Sequence, residues 1–155
     1  MPARGGTIRA GHPWVEISVS SDGKTGTTYP ALIDTGFSGF VSLPIVAASL
    51  LGLRAHTTSH YTLANGKQSE PISHAHGFAG VVGDPYVKGL IAFSQNIATV
   101  VGVDFLTRCG HMLLLSSKGV VLLNEKEIEE TLRELAEATR AAAEATKKAA
   151  QSKSA

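Results

Sequence analysis

The stretch Ala31-Leu32-Ile33-Asp34-Thr35-Gly36-Phe37-Ser38-Gly39 decides how this 155-residue chain is read. Three apolar residues end a buried strand, and a carboxylate, a hydroxyl and a glycine follow at once. A lone acid just past a core strand is costly to bury unless something pairs with it. Gly36 lets the backbone turn where other residues resist, so the stretch predicts a tight loop presenting Asp34. Such an acid could also serve its own loop, accepting backbone N–H bonds as Asp often does.

Working outward, residues 7–33 read as β. Trp14-Val15-Glu16-Ile17-Ser18-Val19-Ser20 alternates, with Val15, Ile17 and Val19 on one face and Glu16, Ser18 and Ser20 on the other. Asp22-Gly23 predicts a hairpin turn, and residues 27–33 run back to Asp34 with Pro30 marking an edge or bulge. A short strand around Thr7-Ile8-Arg9 precedes them. Beyond the loop, residues 43–53 predict a short helix with Pro44 in its first turn and Gly52 at its end. Tyr61-Thr62-Leu63-Ala64 followed by Asn65-Gly66 predicts a type I′ hairpin. Residues 76–82 and 86–93 read as strands. Ala98-Thr99-Val100-Val101-Gly102-Val103-Asp104-Phe105-Leu106 reads as an apolar run, a glycine and a short helix, about 65 residues after Asp34.

Residues 112–115 and 120–123 predict a last hairpin. Asn124 then reads as an N-cap with Glu127 closing a capping box, and residues 125–150 are good helix formers. Six acids lie in residues 1–123 and seven in the last 32, a shift that puts a boundary near Leu123 and Asn124. The expected organisation is a domain over 1–123 and a C-terminal helix and tail over 124–155. Ile128, Leu132, Leu135, Ala138, Ala142, Ala145 and Ala149 form a helical stripe, bulky only in its first half. That implies docking near the body and a solvated end, with helical pairing between subunits as an alternative.

Composition narrows the classes. Lys and Arg total 14 against 13 Asp and Glu, so no overall field calls for nucleic acid or an anionic membrane. One cysteine, Cys109, forbids an intrachain disulfide framework and suits a reducing cytoplasm; it reads as a small apolar residue. The first dozen residues lack the apolar run of a signal peptide, and no stretch approaches a membrane span. His74-Ala75-His76 places two imidazoles on one side of a strand, with His60 within reach. No third ligand sits at a telling spacing, so they read as surface histidines and no metal or cofactor is expected.

Apolar residues followed by Asp-Thr-Gly, and a second apolar run ending in Gly, resemble the two signatures of the retropepsin-like aspartic proteases. The Asp34-Thr35-Gly36-Phe37 form is similar to small, single-lobed prokaryotic members. The resemblance covers roughly residues 7–115. It implies a mainly β fold, a closed acid-protease barrel lobe with short helices, to which this chain adds a C-terminal helical extension. It also implies an aspartic endopeptidase with Asp34, Thr35 and Gly36 as the catalytic positions. In such enzymes two carboxylates share one proton, because like charges held close cannot both ionise. Asp22, Asp84 and Asp104 lack the Thr/Ser-Gly that should follow, so one catalytic Asp per chain requires a two-fold homodimer. Thr35 would hydrogen-bond across the dyad and Gly36 would turn its backbone to an extended peptide. The positions implied to face substrate are Phe37, Ser38, Val101, Gly102 and the covering turn Ala64, Asn65 and Gly66.

The chain departs from the retroviral pattern, which has Ala after the signature Gly, then an Asp paired to an Arg after the second Gly. Here those positions are Phe37, Ser38 and Val103, so both members of the ion pair are missing together and neither is stranded. The alternative reading is a catalytically silent, dimeric peptide-binding or scaffolding module. A third is a monomeric barrel in which Asp34 is structural.

Overall fold

The computed structural model describes residues 4–153. Ten strands and three helices follow in the order β1 (Arg4–Arg9), β2 (His12–Ser20), β3 (Thr27–Ile33), β4 (Val41–Pro44), α1 (Ile45–Leu50), β5 (Thr57–Ser59), β6 (Ile72–Val81), β7 (Val87–Ser94), β8 (Thr99–Val101), α2 (Val103–Arg108), β9 (His111–Ser116), β10 (Gly119–Asn124) and α3 (Glu125–Lys153). The strands form one sheet in the order β5-β6-β7-β4-β8-β3-β2-β1-β10-β9, and β6 also pairs with β2. That extra pairing closes β6, β7, β4, β8, β3 and β2 into a six-stranded barrel, as expected for this fold class.

The alternation in β2 sets the core. Val15, Ile17 and Val19 are buried in the barrel with Ala31, Val41, Leu43, Ile91, Val101 and Phe105. Ser20 does not follow the expected outward face and is buried. Its hydroxyl donates to Asp22 Oδ1 (2.8 Å) and accepts the Gly23 N–H (2.9 Å), so it serves the connection to β3 instead of solvent. That connection is longer than a two-residue turn: Asp22 Oδ1 also accepts the Lys24 and Thr25 N–H groups, which hold its carboxyl down at about 2. Pro30 lies where β3 pairs with β2 alone, since β8 joins only from Ala31 onward.

The expected helix over 43–53 is split. Val41 and Leu43 are drawn into β4 between β7 and β8, and Pro44 stays extended (φ −53°, ψ 139°) before α1 begins. Burial of two branched side chains on a short central strand wins over local helix preference. Gly52 (φ 72°) ends α1 as read from the sequence, with the Leu53 N–H donating to the Ala48 carbonyl.

Two terminal pieces extend the barrel sheet. The first residues of β1 pair with β10 and its last with β2, leaving β9 as an outer edge. The capping box at α3 is formed: Asn124 Oδ1 accepts the Glu127 N–H (3.0 Å), and Glu127 Oε2 accepts the Asn124 N–H (2.8 Å). Arg4 bridges Glu127 and Asp84, and His111 approaches the other Asp84 oxygen, so the cap is stapled to β1 and to the β6–β7 turn. No helix among the described residues is long and apolar enough to cross a membrane.

Candidate active site

β3 and β8 run parallel with Ile33 beside Val101, so Asp34 and Gly102 leave the sheet side by side at the same end. The join is tight. The Asp34 N–H donates to the Val101 carbonyl (3.0 Å), Gly102 N–H to Phe40 (3.1 Å) and Val103 N–H to Phe37 (2.9 Å). A Cβ on Gly102 would lie 2.3 Å from both the Gly39 and Phe37 carbonyl oxygens, so only glycine permits this approach. α2 seals the loop from behind through Phe105, which is fully buried against Phe40 (ring centroids 5.5 Å).

Within the loop the Phe37 N–H donates to the Asp34 carbonyl (3.1 Å), and Asp34 Oδ1 accepts the Gly36 N–H (2.9 Å). Asp34, Thr35, Gly36 and Ser38 are exposed and Phe37 is half-buried. The loop therefore holds a solvent-facing carboxylate on a rigid backbone. The other three aspartates are engaged elsewhere: Asp22 in its turn, Asp84 with Arg4 and His111, and Asp104 with Arg108 one helical turn on. Of the remaining positions proposed to face substrate, the Val101 side chain and Gly102 are buried. Within one subunit these two support the loop through their backbones.

The turn at Ala64, Asn65 and Gly66 is exposed, but it is not the type I′ hairpin expected. The Gly66 N–H donates to the Leu63 carbonyl (2.8 Å), so Ala64 and Asn65 are the central pair. Gly66 alone takes positive φ (78°). Asn65 Oδ1 accepts the Lys67 N–H (3.0 Å), a local bond that fixes Asn65 outside the left-handed region. Thr62 bridges Gln68, and no longer ladder flanks the turn.

Tyr61, at the base of this turn, was not singled out in the sequence. Its ring meets Phe37 edge-on (centroids 5.2 Å, 66°), and its hydroxyl is 2.9 Å from His74 Nε2. His74 is thus no surface histidine. It is 1% exposed, whereas His76 is exposed and stacks on His56 (4.6 Å). The strand turns His74 inward under Tyr61, where its ring nitrogen finds the phenol. A tyrosine just before an Asn-Gly turn and a histidine inside an apolar strand were the available signals. Among the described residues no group of three or more His, Cys, Asp or Glu could hold a metal ion. Burial pushes the Cys109 thiol up to about 12, so it is an inert neutral group at neutral pH.

Burial holds His74 below the usual histidine range, so the folded chain binds a proton there less readily than the unfolded chain. Its neutral form supports the fold fully above the unfolded value near 6.5, and that support is lost as pH falls toward the lower folded value. Thermal stability is therefore expected to decline from about pH 6.5 downward, before the carboxylates titrate. His74→Gln, which keeps a partner for Tyr61, should flatten that part of a Tm-against-pH curve; an unchanged slope would place the titrating group elsewhere.

Known proteins share this fold at low identity. The protease of EIAV, solved with the inhibitor HBY-793, superposes with a TM-score of 0.51 at 19% identity, covering 67% of this chain and 93% of that one. A retropepsin-like aspartic protease from Rickettsia conorii gives a TM-score of 0.51 at 20% identity, covering 77% of this chain and 86% of that one. The chain has a retropepsin-like fold. No family model matches it, and no curated protein matches it in sequence.

Proposed function

We propose that this chain is an aspartic endopeptidase of the small prokaryotic Asp-Thr-Gly-Phe type, working as a two-fold homodimer on extended peptides. The observation that carries the reading is the exposed Asp34-Thr35-Gly36 loop, braced against the end of β8 within a retropepsin-like barrel. Residues 1–123 would be the protease domain and 124–155 an appendage. A reducing, cytoplasmic compartment fits the single cysteine.

In the dimer, the two Asp34 carboxylates share one proton and hold a water between them. The ionised member takes a proton from the water as it attacks the scissile carbonyl, and the protonated member passes its proton to the leaving nitrogen. Thr35 reaches across the dyad to keep the carboxylates coplanar. Gly36 offers backbone to the peptide, and Phe37 and Ser38 flank it. Tyr61, against Phe37, ties the turn at Ala64, Asn65 and Gly66 to the loop it would cover. The second subunit has a surface to meet: β9 is a sheet edge with Met112, Leu114 and Leu115 exposed, whereas the opposite edge, β5, is three polar residues. Apolar side chains on an unpaired edge favour association.

The test is cleavage of a mixed peptide library across roughly pH 3–7, at several protein concentrations. Activity per chain is expected on the acidic side, rising with concentration until the dimer saturates. Cleavage per chain independent of concentration, from a species of one-subunit mass, would remove the dimer mechanism. A folded dimer that cleaves nothing would favour the silent peptide-binding module.

A further inference from the structure

α3 packs against β9 and β10 at its start, yet every residue from Glu129 to Gln151 is exposed. A helix advances about 100° per residue. On that wheel the nine charged residues from Glu129 to Lys148 fall within an arc of about 140°, and between Ile128 and Ala150 the rest of the circumference holds only Ile, Leu, Ala and Thr. The three threonines there, Thr131, Thr139 and Thr146, each donate their hydroxyl to the carbonyl four residues back at 2.7, 2.8 and 2.9 Å. Their polar groups are thereby satisfied inside the helix.

We propose that this face binds the α3 of a second copy, antiparallel, with the crossing centred between Ala138 and Thr139. Turning the helix end for end about that point sets Ile128 level with Ala149, Leu132 with Ala145 and Leu135 with Ala142. The bulky half of each helix meets the alanine half of its partner, which is the large-against-small fit that lets two helices approach closely. The same operation sets Glu129 level with Lys148, Glu130 with Lys147, Arg133 with Glu144, and Glu137 with Arg140. All four are opposite in sign, but Arg133, Glu137, Arg140 and Glu144 lie in the middle of the charged arc, turned away from the partner, and the ninth charge, Glu134, falls level with Ala143. Glu129 and Lys147 are 18 residues apart, as are Glu130 and Lys148; that is five full turns, so each pair lines one edge of the seam. The helix dipole does not account for this pattern, because its influence fades within the first and last turns. A parallel pair in register would set every charge beside its own like and Leu against Leu. Orientation is therefore set by the large-against-small fit, with Glu129 on the same flank as the second copy's Lys147 and Glu130 on the same flank as its Lys148.

The inference does not depend on the protease reading. Its test uses full-length chains in a Cys109→Ser background, one carrying Thr131→Cys and the other Thr146→Cys, mixed and treated with a short bis-maleimide. The 131-to-146 link is expected in several-fold excess over both self-links. Glu129→Lys with Glu130→Lys should reduce that link several-fold, and adding Lys147→Glu with Lys148→Glu should restore it. Dominant 131-to-131 links, or no links between chains that remain folded, would overturn the proposal. A dimer built at Asp34 alone would give a two-subunit mass without the 131-to-146 link, so the two readings fail separately.

Discussion

Asp34→Asn is expected to abolish peptide cleavage and leave the fold intact. The substitution is isosteric, and Asn can still accept the Gly36 N–H that Asp34 Oδ1 accepts at 2.9 Å. The backbone bond from residue 34 to Val101 does not involve the side chain. Stability should therefore change by no more than about 0.5 kcal/mol, as for an exposed substitution. The chemistry is another matter, since an amide can neither share a proton nor take one from water. A positioned acid or base contributes about 10²–10⁴-fold, and in the proposed dimer one carboxylate from each subunit would be lost at once. Activity should drop by at least that factor at every pH. Mixing equal amounts of variant and wild type adds an independent reading: after subunit exchange, about half of the wild-type chains sit in mixed, inactive dimers. Equal cleavage by variant and wild type would show that Asp34 is not the catalytic acid. Full retention of activity per wild-type chain on mixing would show that one chain suffices.

What the sequence made legible is local. Asp34-Thr35-Gly36 after a β hairpin, Val101-Gly102 before a short helix, and Asn124 with Glu127 at a helix start each depend on residues adjacent in the chain, and each forms in the fold. Two of the misreadings, at β4 and at His74, have a distant cause, and the other two arise from side chains that bond within their own turns. Leu43, read as the start of a helix, joins a strand because β7, far along the chain, supplies the pairing. His74 is buried because Tyr61 arrives from another segment to meet its ring nitrogen. Ser20 turns inward to serve a turn whose length a dipeptide does not reveal. Asn65 avoids the left-handed region because its side chain caps the next amide but one. The docking of β1 between β2 and β10 likewise depends on a partner more than a hundred residues away. Periodicity reports which face of a strand is apolar; it carries no information about which distant strand will lie beside it.

Gly102→Ala is expected to be the most damaging single-methyl change near the loop. Gly102 has an extended backbone (φ −110°, ψ −170°) that alanine adopts readily, so the cost is one of space alone. The added Cβ would sit 2.3 Å from the Gly39 and Phe37 carbonyl oxygens and 2.6 Å from the Phe37 ring. Two of those three contacts are backbone, and a carbonyl cannot rotate aside as a side chain can. Relief must come from parting β8 from the loop, which stretches the bonds from Gly102 to Phe40, Val103 to Phe37 and Asp34 to Val101. Overpacking of this kind costs about 1–3 kcal/mol, or about 2–12 °C in Tm for a chain of this size. The larger effect is expected on cleavage, because displacement of Asp34 by about 1 Å would misalign the proposed dyad and can cost about 10²-fold. Gly5→Ala is the matched control: nothing lies within 4 Å of its added Cβ, and its Tm should be unchanged. A Gly102→Ala protein as stable and as active as wild type would mean that β8 does not position Asp34.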